Sequence, residues 1–137
     1  MVYLTRREHF NAAHKLSRAD WSVEKNLEVF GKCANANWHG HNYVLFVTVK
    51  GNADPETGFI VNLKQLSDII RTQITEKIDH RNLNLDIDFM KGIMASTENL
   101  SIAIWQQLEP LINGLGCKLH CIKLCETENN FVEYFGE

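Results

Sequence analysis

The sequence predicts an α+β fold in which an antiparallel β-sheet carries two helices on one face. Runs rich in β-branched and aromatic residues lie near both ends of the chain, and two stretches in the middle have apolar residues every three or four positions. No repeat, low-complexity segment or internal linker separates these parts. We therefore expect a single domain spanning residues 1–137, with sheet edges that oligomerisation would cover.

The first half of the chain predicts three strands. Their β-branched, aromatic or alternating residues lie at 2–14, 42–50 and 59–61. Residues 15–32 are polar and mixed, which is typical of a long loop with one helical turn. The turn-forming stretch 51–58 would connect the second strand to the third.

The second half predicts two helices followed by two strands. Asn62 and Gln65 are spaced as a capping pair for a helix that continues to Ile78. Another helix begins at Ser96 or Thr97 and has apolar residues on one stripe as far as Ile112. Alternating patterns predict the last two strands at 118–125 and 131–135. The predicted order is β-β-β-α-α-β-β.

The charge and cysteine content narrow the possible partners. Fourteen basic and 17 acidic residues give a formal net charge of −3, and no basic run favours nucleic acid or an anionic membrane as a partner. The N-terminal residues become charged before a signal-peptide core forms, and no segment is long and apolar enough to span a membrane. We expect a cytoplasmic protein whose four cysteines are free thiols.

Two histidines flank a glycine where the second strand is expected to begin. His39 and His41 leave the same face of an extended chain about 6.5–7 Å apart, and Gly40 leaves the space between them open. With His14 at the end of the first strand, they supply three nitrogen ligands, which fit a catalytic zinc with one free coordination position. The alternative is three ordinary histidines, as we expect for His9 and His120.

Cys33 lies in a loop of glycine, asparagine and alanine, where no apolar neighbour explains a thiol. A nearby cation would favour its thiolate form, so both a functional thiol and a bystander cysteine remain open interpretations. Cys117, Cys121 and Cys125 are expected to be small core residues. Positions four apart in a strand are about 13 Å apart, which is too far for one tetrahedral ion.

Three polar groups have both functional and ordinary explanations. Asp79 and His80 form a carboxylate and imidazole pair that could activate a thiol, or a helix-end charge cluster with Arg81. Glu126 ends an apolar strand, either as an acceptor for a ligand's N–H groups or as a solvated acid. Residues 96–98 have an ordinary explanation as a helix cap.

Seven short motifs spread over nearly the whole chain resemble those of the 6-pyruvoyl-tetrahydropterin synthase family, in the family's order. They are Phe10-Asn11-Ala12-Ala13-His14, Phe30-Gly31-Lys32-Cys33, His39-Gly40-His41-Asn42-Tyr43, Asp54-Pro55-x-Thr57-Gly58, Asp79-His80-x-Asn82-Leu83, Ser96-Thr97-Glu98-Asn99 and Glu126-Thr127-x-Asn129-Asn130. The resemblance implies the tunnelling fold (T-fold), an antiparallel sheet with two helices on one face. It also implies trimeric barrels that stack in pairs as a homo-hexamer.

The resemblance further implies a lyase that depends on Zn²⁺. Its substrate would be 7,8-dihydroneopterin triphosphate, converted to 6-pyruvoyl-tetrahydropterin with elimination of triphosphate in tetrahydrobiopterin biosynthesis. The family's zinc ligands fall on His14, His39 and His41. No external oxidant or nicotinamide is implied.

The same resemblance implies roles for the remaining motif residues. Cys33 matches the family's general base, and Asp79 with His80 matches the dyad that reaches the site from a neighbouring subunit. Glu126 matches the acid that anchors the amino-pyrimidine ring of the pterin. The residues that would complete the pterin pocket are Thr97 and Glu98.

The motifs are compatible with more than one reaction product. The 6-carboxy-5,6,7,8-tetrahydropterin synthases of queuosine (7-deazapurine) biosynthesis share the zinc ligands, the cysteine and the substrate, but release acetaldehyde. The Cys-x5-His-Gly-His spacing and the pair Asn129-Asn130 favour the pyruvoyl product. Trp38 stands where the animal synthases usually have glycine, which would alter the pocket rim. A non-catalytic pterin-binding protein is the third alternative, disfavoured by the intact set of site residues.

Overall fold

Five strands form a single sheet whose central strands bury one face. The computed structural model describes residues 1–137. The strands are β1 (Val2–His14), β2 (His39–Gly51), β3 (Arg81–Asn82), β4 (Lys118–Cys125) and β5 (Phe131–Tyr134). Their order in the sheet is β3-β1-β2-β4-β5, and all neighbours are antiparallel except β3, which lies parallel to β1. The predicted α+β class is confirmed.

Four helices accompany the sheet. They are α1 (Val23–Phe30), α2 (Leu63–Ile70), α3 (Glu76–Ile78) and α4 (Thr97–Asn113). A π-helical segment, Arg71–Thr75, joins α2 to α3, so the helix predicted over 62–78 is continuous but widened in its middle. The predicted cap is also confirmed, because Asn62 Oδ1 accepts hydrogen bonds from the backbone N–H groups of Lys64 and Gln65.

The strand predicted at 59–61 is wrong. None of these residues has a ladder partner, and residues 60 and 61 form a bend. Val61 is nevertheless buried in the core, and the Ile60 side chain packs against Gly51. Their apolar character serves packing at the end of the sheet and not strand pairing. Two further differences concern α1 and β3. The helix α1 has eight residues where a single turn was expected, and the two-residue strand β3 was not predicted.

The register between β1 and β2 determines which side chains meet. Phe10 lies opposite Tyr43, Ala12 opposite His41, and His14 opposite His39. Directly opposed residues of antiparallel strands share a face, and here that face is buried beneath the helices. The ends of the two strands therefore bring all three histidines to one place beside the core.

The four cysteines are free, as predicted, with Cys117 and Cys121 buried. Cys117 belongs to the core, whereas Cys121 lies opposite Thr48 on the other face of the sheet. None of the helices has both the length and the apolar composition that crossing a membrane requires.

Candidate metal centre and active site

Four potential metal ligands converge where β1 ends, β2 begins and β4 ends. The ligand atoms of His14, His39, His41 and Glu126 all lie within 4.8 Å of one another. The centroid of the His14 imidazole ring lies 4.5 Å from that of His39 and 5.1 Å from that of His41. Three histidines and a carboxylate are the ligand types that zinc prefers, and zinc commonly takes four. The structure thus places Glu126 among the groups that could hold an ion, next to the three histidines that the sequence singles out.

The residues fit a bound metal ion because their nitrogens have no other partner. The Nε2 atoms of His14, His39 and His41 are buried and make no hydrogen bond. His41 Nε2 lies 2.7 Å from Glu126 Oε1, but the contact lacks the direction of a hydrogen bond. Buried nitrogens without partners are unfavourable in a protein, whereas a cation between them would satisfy all three.

The backbone around α4 fixes the orientation of His14. Its Nδ1 lies 2.7 Å from the carbonyl oxygen of Ala95, just before Ser96, the N-cap of α4. A carbonyl only accepts, so Nδ1 carries the proton and the Nε2 lone pair faces the other histidines. The loop entering α4 therefore selects the tautomer that binds metal.

Burial keeps the three imidazoles neutral. Desolvation lowers the pKa of His14, His39 and His41 below the ordinary value of 6.5. For His14, the effect of burial exceeds the opposite effect of its hydrogen bond to Ala95. Neutral imidazole is the form that ligates metal, so the site is ready to bind a cation at neutral pH.

Gly40 lies where β1 and β2 approach each other closely. A Cβ atom at this position would lie 3.2 Å from the backbone oxygen of Ala12. A side chain here would require the backbone of β1 to shift by a few tenths of an ångström. The glycine of the His-Gly-His motif thus allows the strand separation that brings His14 and His39 together.

A polar pocket adjoins the histidines on the side of α4 and β5. Its volume is about 340 Å³, and Thr97, Glu98 and Glu126 contribute to its lining. The Thr97 hydroxyl donates a 2.6 Å hydrogen bond to Glu126 Oε2, whereas Glu126 Oε1 faces His41. The three residues predicted to hold the pterin ring therefore meet in one pocket, and Glu126 links it to the metal centre.

Cys33 lies close to the same centre. It belongs to a 3₁₀ turn, Gly31–Ala34, and its carbonyl oxygen accepts a hydrogen bond from the N–H of Leu16, two residues after His14. The thiol is half-buried and lies within electrostatic reach of the Tyr43 hydroxyl. The turn that carries this free thiol is thus tied to the chain just after His14.

Asp79 and His80 lie beside β1 and do not contact Cys33. Asp79 Oδ1 accepts a hydrogen bond from the backbone N–H of Asn11, and His80 Nδ1 is 2.9 Å from Asp79 Oδ2. The bond from Asn11 is the main reason why the pKa of Asp79 is lowered. His80 has 78% of its side chain exposed and shares a cavity of about 550 Å³ with His41. No hydrogen bond or ion pair joins this dyad to Cys33.

Two aromatic residues near the histidines received no role from the sequence. Tyr43 was part of a motif only, and Trp38 was noted only as a departure from the animal synthases. Tyr43 is fully buried, and desolvation raises the pKa of its hydroxyl well above the ordinary value. Its position two residues after His41, on the same strand face, was the signal that could have marked it. Trp38 has a φ of 68°, the left-handed region that favours glycine, and its ring lies 4.9 Å from the Lys15 ammonium.

Comparison with known proteins agrees with this arrangement. A family model described as 6-pyruvoyl tetrahydropterin synthase matches residues 3–137. A Dictyostelium discoideum protein named 6-pyruvoyl tetrahydrobiopterin synthase is 46% identical over 136 residues, covering 99% of this chain and 97% of the relative. The chain belongs to the 6-pyruvoyl tetrahydropterin synthase family.

Further members of the 6-pyruvoyl tetrahydropterin synthase family extend the comparison. The human protein named 6-pyruvoyl tetrahydrobiopterin synthase is 41% identical over 134 residues, covering 98% of this chain and 91% of the relative. The solved structure of Caenorhabditis elegans 6-pyruvoyl tetrahydropterin synthase superposes with a TM-score of 0.90 at 34% identity, covering 99% of this chain and 96% of that one. The tunnelling fold implied by the motifs is confirmed.

A more distant relative carries the alternative activity in its name. The Bacillus subtilis 6-carboxy-5,6,7,8-tetrahydropterin synthase is 26% identical over 136 residues, covering 96% of this chain and 83% of the relative. The chain is thus more similar to the pyruvoyl-named relatives reported above than to this one.

Proposed function

We propose that this chain converts 7,8-dihydroneopterin triphosphate to 6-pyruvoyl-tetrahydropterin with elimination of triphosphate, as a zinc-dependent lyase. The observation that carries the proposal is the convergence of His14, His39 and His41 with Glu126, which also lines a polar pocket of about 340 Å³. The family membership supports the same activity. Residues 1–137 act together as one tetrahydropterin synthase domain in this proposal.

The pterin ring would bind between α4 and β5. Glu126 presents a carboxylate to the pocket, and a carboxylate accepts two parallel N–H bonds from an amino-pyrimidine edge. Thr97 donates to Glu126 Oε2 and so restrains the orientation of the acid before the ligand arrives. Glu98, exposed at the start of α4, completes the pocket from the other side.

The substrate's side chain would then lie beside the histidines and Cys33. The metal held by His14, His39 and His41 would supply Lewis-acid polarisation of the side-chain hydroxyls, and zinc is the ion that fits these ligands. Cys33 would take a proton from the carbon side chain as the general base. Its half-buried position in the turn that is hydrogen-bonded to Leu16, just after β1, supports this role.

Asp79 and His80 would complete the proton relay from a second subunit. Within one chain they lie at the edge of β1, without contact to Cys33, and His80 points its ring into solvent. Their exposure supports a contribution to the site of a neighbouring copy. We therefore propose a homo-hexamer built as a dimer of trimers, in which each active site combines residues of two protomers.

The alternative product is 6-carboxy-5,6,7,8-tetrahydropterin, which belongs to queuosine biosynthesis. It requires the same substrate and the same zinc ligands. We favour the pyruvoyl product because the relatives named for it are 46% and 41% identical, against 26% for the relative named for the carboxy product. The four free thiols support cytoplasmic activity, since reduced cysteines are the rule in that compartment.

The deciding experiment is a product assay. Purified zinc-loaded protein is incubated anaerobically with 7,8-dihydroneopterin triphosphate, and the products are identified by mass spectrometry. We expect a 6-pyruvoyl product and free triphosphate. A 6-carboxy product with acetaldehyde would assign the chain to the alternative activity, and unchanged substrate would contradict both.

A further inference from the structure

A side-chain clamp holds the chain where β1 ends. The side chain of Asn84 binds both backbone groups of Lys15, the residue after His14. Asn84 Oδ1 accepts a hydrogen bond from the Lys15 N–H at 3.1 Å, and Asn84 Nδ2 donates to the Lys15 carbonyl oxygen at 3.0 Å. An asparagine side chain offers the same donor and acceptor groups as a peptide unit, so this contact continues the pairing of β1 one residue beyond its end.

The clamp lies next to one of the metal-facing histidines. His14 is the last residue of β1, and its ladder partner His39 is the first residue of β2. No other hydrogen bond holds the backbone of Lys15. The ends of strands fray where their backbone groups lack partners. Loss of the clamp would therefore loosen the chain directly beside His14.

The loop that carries Asn84 is anchored independently of the clamp. Leu83 is fully buried in the hydrophobic core, and its N–H donates to the carbonyl oxygen of Ala13. Asn82 Oδ1 accepts a 2.9 Å hydrogen bond from the N–H of Asn84, which fixes the turn between them. The clamp therefore ties the end of β1 to a loop whose position is set by the core.

We propose that Asn84 is a positioning residue of the candidate metal centre, because it keeps His14 where its Nε2 atom faces the other two histidines. The hydrogen bond of His14 Nδ1 to Ala95 orients the ring, whereas the clamp holds the backbone that carries it. Ligands that are held in place before the ion arrives bind it more tightly, since less of the chain has to be ordered on binding. This inference rests on the metal binding in the proposed function and adds a residue that is not itself a ligand.

The test measures zinc affinity by competition with a chelator for wild-type protein, Asn84→Ala and Asn84→Asp. Asn84→Ala removes both hydrogen bonds to Lys15, and we expect it to bind zinc roughly 3- to 10-fold more weakly than the wild type. Asn84→Asp keeps an oxygen for the Lys15 N–H but has no donor for the carbonyl oxygen. Its zinc affinity should therefore lie between those of the other two proteins.

The absorption spectrum of bound Co²⁺ separates a positioning residue from a ligand. At saturating Co²⁺, the visible spectrum of Asn84→Ala should match that of the wild type, because the same side chains hold the ion. His14→Ala should show a different spectrum, since it lacks one nitrogen ligand. A changed spectrum in Asn84→Ala would contradict a role limited to positioning.

Asn113→Ala is the matched control for a loss of stability alone. Asn113 Oδ1 accepts a 2.9 Å hydrogen bond from the backbone N–H of Leu119, so it joins the last residue of α4 to β4. This contact lies at the opposite end of α4 from Ala95, which binds His14. We expect Asn113→Ala to lower the melting temperature of the metal-free protein and to bind zinc as tightly as the wild type.

The outcomes distinguish this inference from the proposed function. If the wild type binds zinc tightly and Asn84→Ala binds it equally well, the positioning role is refuted while the proposed function stands, whatever the melting temperature of the variant. If Asn84→Ala does not fold, Asn84→Asp decides, and wild-type zinc affinity in that variant refutes the role. If the wild type does not bind zinc, both proposals fail together.

Discussion

His14 Nδ1 lies 2.7 Å from the carbonyl oxygen of Ala95, so the loop that begins α4 holds the imidazole at the end of β1. The proton on Nδ1 leaves Nε2 as the coordinating atom, and that atom has no other partner. A helix entry and a strand end therefore build the candidate metal centre jointly. This relationship determines which nitrogen of His14 is available to a cation.

Replacing His14 with Ala should abolish tight metal binding. Loss of one ligand is expected to weaken zinc affinity by more than about 100-fold, which exceeds the usual effect of losing a supporting hydrogen bond. The zinc affinity is measured as the metal content that remains after dialysis against a competing chelator. The matched control is His120→Ala, since His120 packs between Tyr3 and Phe135 away from the centre. Equal zinc content in His14→Ala and wild type would contradict the assignment.

The stability of the metal-free protein should fall as the pH decreases below 6.5. Burial lowers the pKa of His14, His39 and His41 in the folded state, so the unfolded chain binds more protons just below their ordinary pKa of 6.5. Protonation therefore favours unfolding in that range and has no effect well above it. Urea unfolding between about pH 7.5 and pH 5.5 measures the trend.

His41→Gln is the informative variant for this trend, because it removes one of the buried titrating groups. Its stability should decrease less steeply with falling pH than that of the wild type. Asp79 does not interfere, since its pKa is lowered from 3.8 and its contribution to stability is lost only at more acidic pH. A stability independent of pH across this range would refute the interpretation of the three histidines as buried and neutral.

Cys33→Ala should separate chemistry from metal binding. General-base catalysis typically contributes about 100- to 10,000-fold, so we expect turnover to fall by at least about 100-fold while zinc content is unchanged. Cys121→Ala is the control, because Cys121 is a free thiol on the other face of the sheet and lies opposite Thr48. Turnover of Cys33→Ala at the wild-type rate would exclude the thiol as the base.

Mixing two inactive variants should restore part of the activity if active sites combine two subunits. Cys33→Ala supplies an intact Asp79 and His80, and His80→Ala supplies an intact Cys33. Coexpression is expected to form mixed oligomers in which some sites hold both intact parts, whereas mixtures of each variant with itself stay inactive. Kinetics of the purified mixture measure the recovery. An inactive mixture of properly assembled oligomers would contradict a dyad supplied by the neighbouring protomer.

Glu126→Gln should weaken pterin binding. An amide cannot accept two N–H bonds as a carboxylate does, and loss of a charge-assisted hydrogen bond corresponds to roughly 10- to 100-fold in affinity. Neopterin affinity and zinc content of the variant are measured together. Weaker neopterin binding with full zinc supports the ring-anchoring role, whereas lost zinc with unchanged neopterin affinity would assign Glu126 to the metal instead.

The sequence by itself determined the fold class and the position of most elements. Alternation in β1 and β4 and the three-to-four spacing before Ile78 are local properties, so they are readable without the tertiary structure. The strand predicted at 59–61 was wrong because an apolar run indicates burial equally well in a strand and in a packed loop. The pairing of β3 depends on Asn11 and its neighbours in β1, which no local pattern contains.

Within the site, the sequence identified candidate side chains, and the tertiary structure determined which of them lie next to each other. The His-Gly-His spacing identified His39 and His41 as a pair, because side chains two apart in a strand share a face. Only the strand register set His14 opposite His39, and only the end of β4 brought Glu126 beside them. The unpartnered hydroxyl of Tyr43 likewise appears only after packing, since burial and hydrogen-bond satisfaction are properties of the folded chain.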